Sequence, residues 1–271
     1  MTKRSAFVRL LPAVVLVVAA VACGNGSSSD TQTLQPADLV KAAVTKTSQQ
    51  QSSRMLMSSK TDVGAITVDI KGQGEFDYAK RVGHFSMTMP GGVGTIDEIL
   101  LGDTLYLRVP SQGGSYYTLP FSEVVGTQLG SSTDPTAGLQ ALMGISNDVK
   151  RLGTVTVRGA KTTHYRGTYD LKAAVAKVGG IAKRVLESTL ASGAPTIVPF
   201  DAYIDDSGRL RKLDQTFNMT SPKLPGQKVH VQSTLELYDF GVKVSVQKPT
   251  ATKDGTPLLN ALKTQFPGTA G

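Results

Sequence analysis

The sequence predicts an α+β fold, a curved antiparallel sheet with helices packed against one face. Three observations predict it. Apolar and polar residues alternate with a period of two in several short runs, as in strands buried on one side only. These runs cluster as hairpins around turn-forming residues such as Gly102-Asp103. Segments of helical period separate them, giving the order helix, strands, helix, strands, helix, strands, helix.

The N-terminus reads as a signal peptide over 1–22. Lys3, Arg4 and Arg9 precede an apolar run from Leu10 to Ala22, and Ala20-Val21-Ala22 puts small residues before Cys23, the only cysteine of the 271-residue chain. The run is 13 residues long, and a spanning helix needs roughly 20. A soluble secreted protein has no use for a cysteine at the cleavage point. Ala20-Val21-Ala22-Cys23-Gly24 instead resembles the bacterial lipobox, whose cysteine is diacylglycerylated and becomes the first residue; Ala20 stands where Leu is usual. Cys23 is therefore the expected lipidation site. Two acyl chains, at about 0.8 kcal/mol per buried methylene, would hold the protein stably on the extracytoplasmic face of the cell membrane. Residues 23–33, polar and rich in Gly and Ser, read as a disordered tether. Residues 34–271 read as a single domain.

Composition narrows the function. With Cys23 lipidated no disulfide can form, so the fold rests on hydrophobic burial. Formal net charge is +8, but three positive charges and no acidic residue precede Cys23, leaving the mature chain near +5. That excess suits a protein lying over anionic headgroups. No dense Lys/Arg cluster with interleaved aromatics points to nucleic acid, and with no Trp the chain lacks the strongest stacking residue for sugars or bases.

In chain order, Pro36, Leu39, Val40, Ala43 and Val44 predict a helix over 36–51, with Pro36 in its first turn. Strands follow on Ile66, Val68 and Ile70, on Phe85, Met87 and Met89, and on Leu105, Leu107 and Val109, paired through Gly102-Asp103 with 96–101. Residues 120–145 read as two short helices broken at 131–135, the second with Leu139, Leu142 and Met143 on its apolar face. Strands resume at 149–157 and 162–169. Leu171, Ala174, Val175, Val178, Ile181, Ala182, Val185 and Leu186 give the clearest helix, with Asp170 as N-cap and Gly179-Gly180 as a kink. A meander of 199–205, 209–219 and 228–240 turns at 205–208 and 222–226, and 256–266 closes the chain as an amphipathic helix.

No catalytic constellation emerges. Gly-x-Ser-x-Gly is absent, and His84, His164 and His230 read as exposed strand residues without the helical spacing of a metal site. Asp205-Asp206-Ser207-Gly208 lacks the alternate ligands and closing Glu of a calcium loop and reads as a hairpin turn. Gly91-Gly92-Val93-Gly94 precedes no Lys-Ser/Thr and reads as a loop. The chain is read as a non-enzyme, without metal or cofactor. What remains is apolar strand surface: Ile66, Val68, Ile70, Phe85, Met87, Met89, Leu105, Leu107 and Val109. These residues either pack as core beneath the helices or line a groove for acyl chains, in which flexible Met side chains would fill irregular gaps.

The chain resembles the actinobacterial LppX/LprAFG lipoproteins, relatives in fold of the LolA and LolB carriers. The resemblance rests on Cys23 and its tether, the N-terminal helix, the hairpin of 99–107, the run 159–168 leading into a helix, and the strand-turn-strand 201–212. It implies a curved antiparallel half-barrel with helices across its concave side, a hydrophobic cavity between them, and carriage of acylated lipid or glycolipid through the envelope. The expected function is a monomeric, membrane-anchored lipid-binding or lipid-transfer lipoprotein with an envelope transport protein as partner. The alternative is a surface scaffold or sensor with a solid core that binds another envelope protein.

Overall fold

The computed structural model describes residues 34–92, 94–125, 135–220 and 226–265. The expected signal peptide, the expected lipidation site Cys23 and the expected tether lie outside them, as do the expected helix break at 131–134, most of the expected 222–226 turn and Phe266. The described residues form one compact unit.

Helix α1 (Pro36–Ser48) opens with Pro36 in its first turn and carries Asp38 near its N-terminus and Lys46 near its C-terminus, each complementing the helix dipole. Ala37, Val40, Ala43, Val44 and Thr47 are buried along one stripe. Thr47, fully buried, accepts a hydrogen bond through Oγ1 from the Leu210 backbone N–H at 2.8 Å, which ties the helix to the sheet. The helix ends three residues short of the expected Gln51, because the chain turns there into a strand that the alternation did not reveal.

That strand, β1 (Ser52–Val63), is followed by β2 (Ile66–Asp77), β3 (Val82–Met89), β4 (Gly94–Leu101), β5 (Thr104–Arg108) and β6 (Tyr116–Pro120). A short helix α2 (Phe121–Val124), helix α3 (Pro135–Gln140) and a 3-10 turn (Ala141–Gly144) lead into β7 (Lys150–Val157) and β8 (Ala160–Asp170). The predicted long helix is two, α4 (Leu171–Lys177) and α5 (Gly180–Ala191): Val178 is extended and Gly180 takes φ +58°, so the glycine pair breaks the helix rather than kinking it. Asp170 caps α4 as expected, accepting from the Lys172 and Ala173 N–H groups at 2.8 and 3.1 Å. Strands β9 (Ile197–Asp205), β10 (Leu210–Thr220), β11 (Lys228–Tyr238) and β12 (Thr252–Asp254) and helix α6 (Thr256–Gln265) complete the chain.

The strands among the described residues join one open sheet in the order β12-β6-β5-β4-β3-β2-β1-β11-β10-β9-β8-β7. Every pairing is antiparallel except β12 with β6. The two long hairpins β1–β2 and β10–β11 meet along β1–β11, so β1, unseen in the sequence, joins the two halves of the sheet. The helices cover one face, and Val40, Val44, Leu142, Ala174, Val185 and Leu186 pack with Met55, Phe85, Leu105 and Phe200 of the sheet in one core. The fold is the predicted α+β arrangement.

Candidate lipid-binding face

The register places all nine candidate residues on the helix-facing side of the sheet, but in different surroundings. Phe85, Met87, Leu105 and Leu107 lie beneath the helices and belong to the packed core, with Leu105 fully buried. Ile70, Met89 and Val109 are partly buried at its margin. Val68 is half-buried, and Ile66, next to the β1–β2 turn, is 66% exposed. Burial therefore falls steadily along β2 toward its turn.

Cross-strand pairing extends this margin over four strands. Ile66 pairs with Val63, Val63 with Val229, and Val229 with Met219, forming an outer apolar row. Val68, Thr61, Val231 and Phe217 form a second row by the same pairings. Most of these side chains are only partly buried. The next row inward is polar at its centre, where Ile70, Ser59, Ser233 and Gln215 stand side by side. Gln215 donates through Nε2 to the Tyr169 hydroxyl at 2.6 Å, and Ser233 donates to Gln215 Oε1 at 3.2 Å. Burial pushes the Tyr169 phenol well above its ordinary range, so it stays neutral. A polar belt thus lies between the centre of the core and two largely apolar rows that the helices leave partly open, with Phe217 of the second row still packed against the core. The sequence analysis found Ile66 and Val68 of these rows; their partners on β1, β10 and β11 are adjacent only through the register.

Several ionic clusters sit on the opposite face, whereas Glu98, paired across the strands with Phe85 and Leu107, is buried on the helix-facing side. Asp97 accepts from His84 at 3.2 Å and from Arg108, with Tyr116 at 3.4 Å. Burial pushes the Asp97 carboxyl up, but the hydrogen bonds from Arg108 and His84 outweigh it and hold the carboxyl below the usual range. His164 is not the exposed strand residue expected: its side chain is 13% exposed, bonds Asp201 at 2.5 Å and stacks on Tyr203 with ring centroids 4.5 Å apart. His230 bonds Asn218 at 2.8 Å. The three histidines lie on β3, β8 and β11 and do not converge. The 205–208 turn is a hairpin turn, with Gly208 at φ +73°. Asp205 is paired with Arg209 and Arg211 at 2.9 and 2.7 Å.

No protein-family model matches the chain. Over 133 residues, 48% of its length, the chain is 31% identical to an uncharacterized 31.2 kDa protein from the rplA–rplJ intergenic region of Streptomyces griseus. The match spans 41% of that protein. Among solved structures, the Mycobacterium tuberculosis lipoprotein LppX superposes with a TM-score of 0.51 at 14% identity, over 78% of this chain and 98% of LppX. LprF from Mycobacterium bovis gives 0.46 at 14% identity, over 80% of this chain and 97% of LprF. The similarity to LppX is one of fold, and at that level the resemblance read from the sequence is met.

Proposed function

We propose that this chain is a non-enzymatic envelope lipoprotein, anchored through acylated Cys23, that binds an acyl chain of lipid along the apolar rows of β1, β2, β10 and β11. Residues 1–22 are its signal peptide and 23–33 its tether. The observation that carries this reading is the pair of apolar rows left partly open beside a polar belt. An acyl chain lying on Ile66, Val68, Val231 and Phe217 would exchange water for apolar contact, at roughly 25 cal/mol per Å² buried. The belt of Ser59, Ser233 and Gln215 offers hydrogen bonds to an ester or headgroup at the inner end. The fold shared with a protein described as a lipoprotein, and the lipobox around Cys23, support the same reading.

Native mass spectrometry of residues 34–271, secreted from an actinobacterial host, tests it. Lipid that co-purifies and is lost on denaturation is the expected result. A clean apo mass, with no uptake of added phospholipid or glycolipid, counts against it. That outcome would favour the second reading, a solid-core scaffold or sensor that binds another envelope protein, which tight packing around Phe85, Met87, Leu105 and Leu107 supports.

A further inference from the structure

A cleft of about 550 Å³ opens on the face opposite the helices. Its floor is a grid set by the register of β11, β1, β2 and β3. Glu236, Leu56, Gln73 and Ser86 form one row. Thr234, Ser58, Lys71 and Thr88 form the row beside it. Alternation along the strands puts these side chains on the side away from Met55 and Met57. Arg158, at the tip of the β7–β8 hairpin, forms one wall: its guanidinium donates to Glu236 at 2.6 Å and lies 4.3 Å from the Tyr238 ring centroid. The volume lies within the range of small-ligand sites.

The lining chemistry selects the ligand class. Both cations are already matched, Arg158 by Glu236 and Lys71 by Asp69 at 3.5 Å, so the cleft carries no surplus charge for a phosphate or carboxylate. Leu56 is too little apolar surface for an acyl chain, and the described lining residues include no aromatic ring to stack on a base. What the cleft presents is paired donors and acceptors. Ser58, Ser86, Thr88 and Thr234 bring hydroxyls, Gln73 an amide, and the Arg158–Glu236 pair a donor beside an acceptor. The Ser58, Gln73 and Ser86 side chains have no hydrogen-bond partner among the described residues. Sugar hydroxyls both donate and accept, and the C–H face of a sugar ring can rest on Leu56.

We infer that this cleft binds a neutral polyhydroxylated ligand, either a free saccharide or the sugar of a glycolipid headgroup. The inference stands apart from the acyl-chain reading, which concerns the other face of the sheet. The test uses the full chain in a zwitterionic detergent, with maltose and cellobiose as probes in saturation-transfer NMR. In parallel, phosphatidylcholine vesicles with or without glucosyl-diacylglycerol are assayed by co-sedimentation. Saccharide binding weakened about tenfold by Gln73→Ala and by Ser86→Ala, each losing one hydrogen bond, is the expected result. It should be unchanged by Leu152→Glu, an exposed residue of β7 outside both the cleft and the apolar rows. Binding only to the glucosyl vesicles, with the same sensitivity to Gln73→Ala, also supports the cleft and assigns the sugar to a headgroup. The inference is overturned if neither probe binds, if inorganic phosphate binds at this cleft in their place, or if Gln73→Ala and Ser86→Ala leave binding unmoved.

Discussion

Gly74 on β2 stands so close to His84 on β3 that a β-carbon built on it would lie 2.3 Å from the His84 carbonyl oxygen. The same β-carbon would lie 2.5 Å from the Phe85 ring. The first obstacle is backbone and cannot swing aside. Gly74→Ala is therefore expected to destabilise the domain by about 1–3 kcal/mol through overpacking. Gly138→Ala, in a helix with nothing within 4 Å, should be neutral or stabilising by up to about 1 kcal/mol. Urea unfolding of both variants checks the contrast, and equal midpoints would contradict the packing seen at β2–β3.

Thr47 and Leu210 form a second contact of this kind, a buried hydroxyl serving a strand N–H at 2.8 Å. Thr47→Val keeps the shape and removes the acceptor, which leaves the Leu210 N–H unpaired in the core. The expected loss is about 1–3 kcal/mol. Thr47→Ser retains the oxygen and should recover part of it. Denaturant midpoints of the two variants decide whether the hydrogen bond or the methyl group matters more.

Acid sensitivity follows from the carboxylates held below their ordinary range. Asp97 is stabilised in its charged form by Arg108 and His84, Asp205 by Arg209 and Arg211, and Asp77 by Lys80, in each case against the opposing effect of burial. A carboxyl depressed by folding contributes stability that is complete above its unfolded value, 3.8 for these groups. The contribution is lost as pH falls from there through the folded value. Stability should therefore decline below about pH 4. Asp97→Asn should lower stability at neutral pH and make the decline shallower. Thermal melts of both proteins between neutral pH and pH 2 measure this, and parallel curves would rule out Asp97 as a contributor.

Lipidation is tested at its one candidate atom. Cys23→Ser leaves the proposed signal peptide intact but removes the thiol. It should abolish incorporation of labelled palmitate and shift the protein out of the membrane fraction, without altering the melting of residues 34–271. Retention in the membrane with undiminished label would exclude Cys23 as the acyl acceptor.

The strand pairs with clean alternation were legible because each buries one face. Thr104-Leu105-Tyr106-Leu107 and its partner across Gly102-Asp103 are examples. Strand β1 was hidden because Met55-Leu56-Met57 are consecutive apolar residues that erase the period of two; Leu56 faces the cleft while its neighbours face the core. Strand β12 has three exposed residues and no pattern to read. The nine candidate residues were placed on the correct face, yet sequence could not separate Leu107, deep in the core, from Ile66 at the margin. Depth under the helices is set by tertiary packing, which strand alternation does not encode. The polar belt was out of reach for a related reason: Ser59, Tyr169, Gln215 and Ser233 meet only through strand register and a hydrogen bond.

The apolar rows give the sharpest test of lipid binding, because they can be altered with little harm to the core. Ile66 is mostly exposed, so Ile66→Glu should change stability by no more than about 0.5 kcal/mol. Phe217 is partly buried against the core, and Phe217→Ser should cost more, up to about 3–5 kcal/mol at full burial. If an acyl chain lies along these rows, Ile66→Glu places a charge beside it, and bound lipid should fall at least about tenfold for the loss of 1.4 kcal/mol or more. Leu152→Glu, on exposed edge strand β7, carries the same charge change away from the rows and serves as control. Lipid occupancy by native mass spectrometry, read alongside melting temperature, separates loss of binding from loss of fold. Undiminished occupancy in Ile66→Glu would move the acyl chain off the rows. Reduced occupancy at normal stability would fix one end of its path between the β1–β2 and β10–β11 turns.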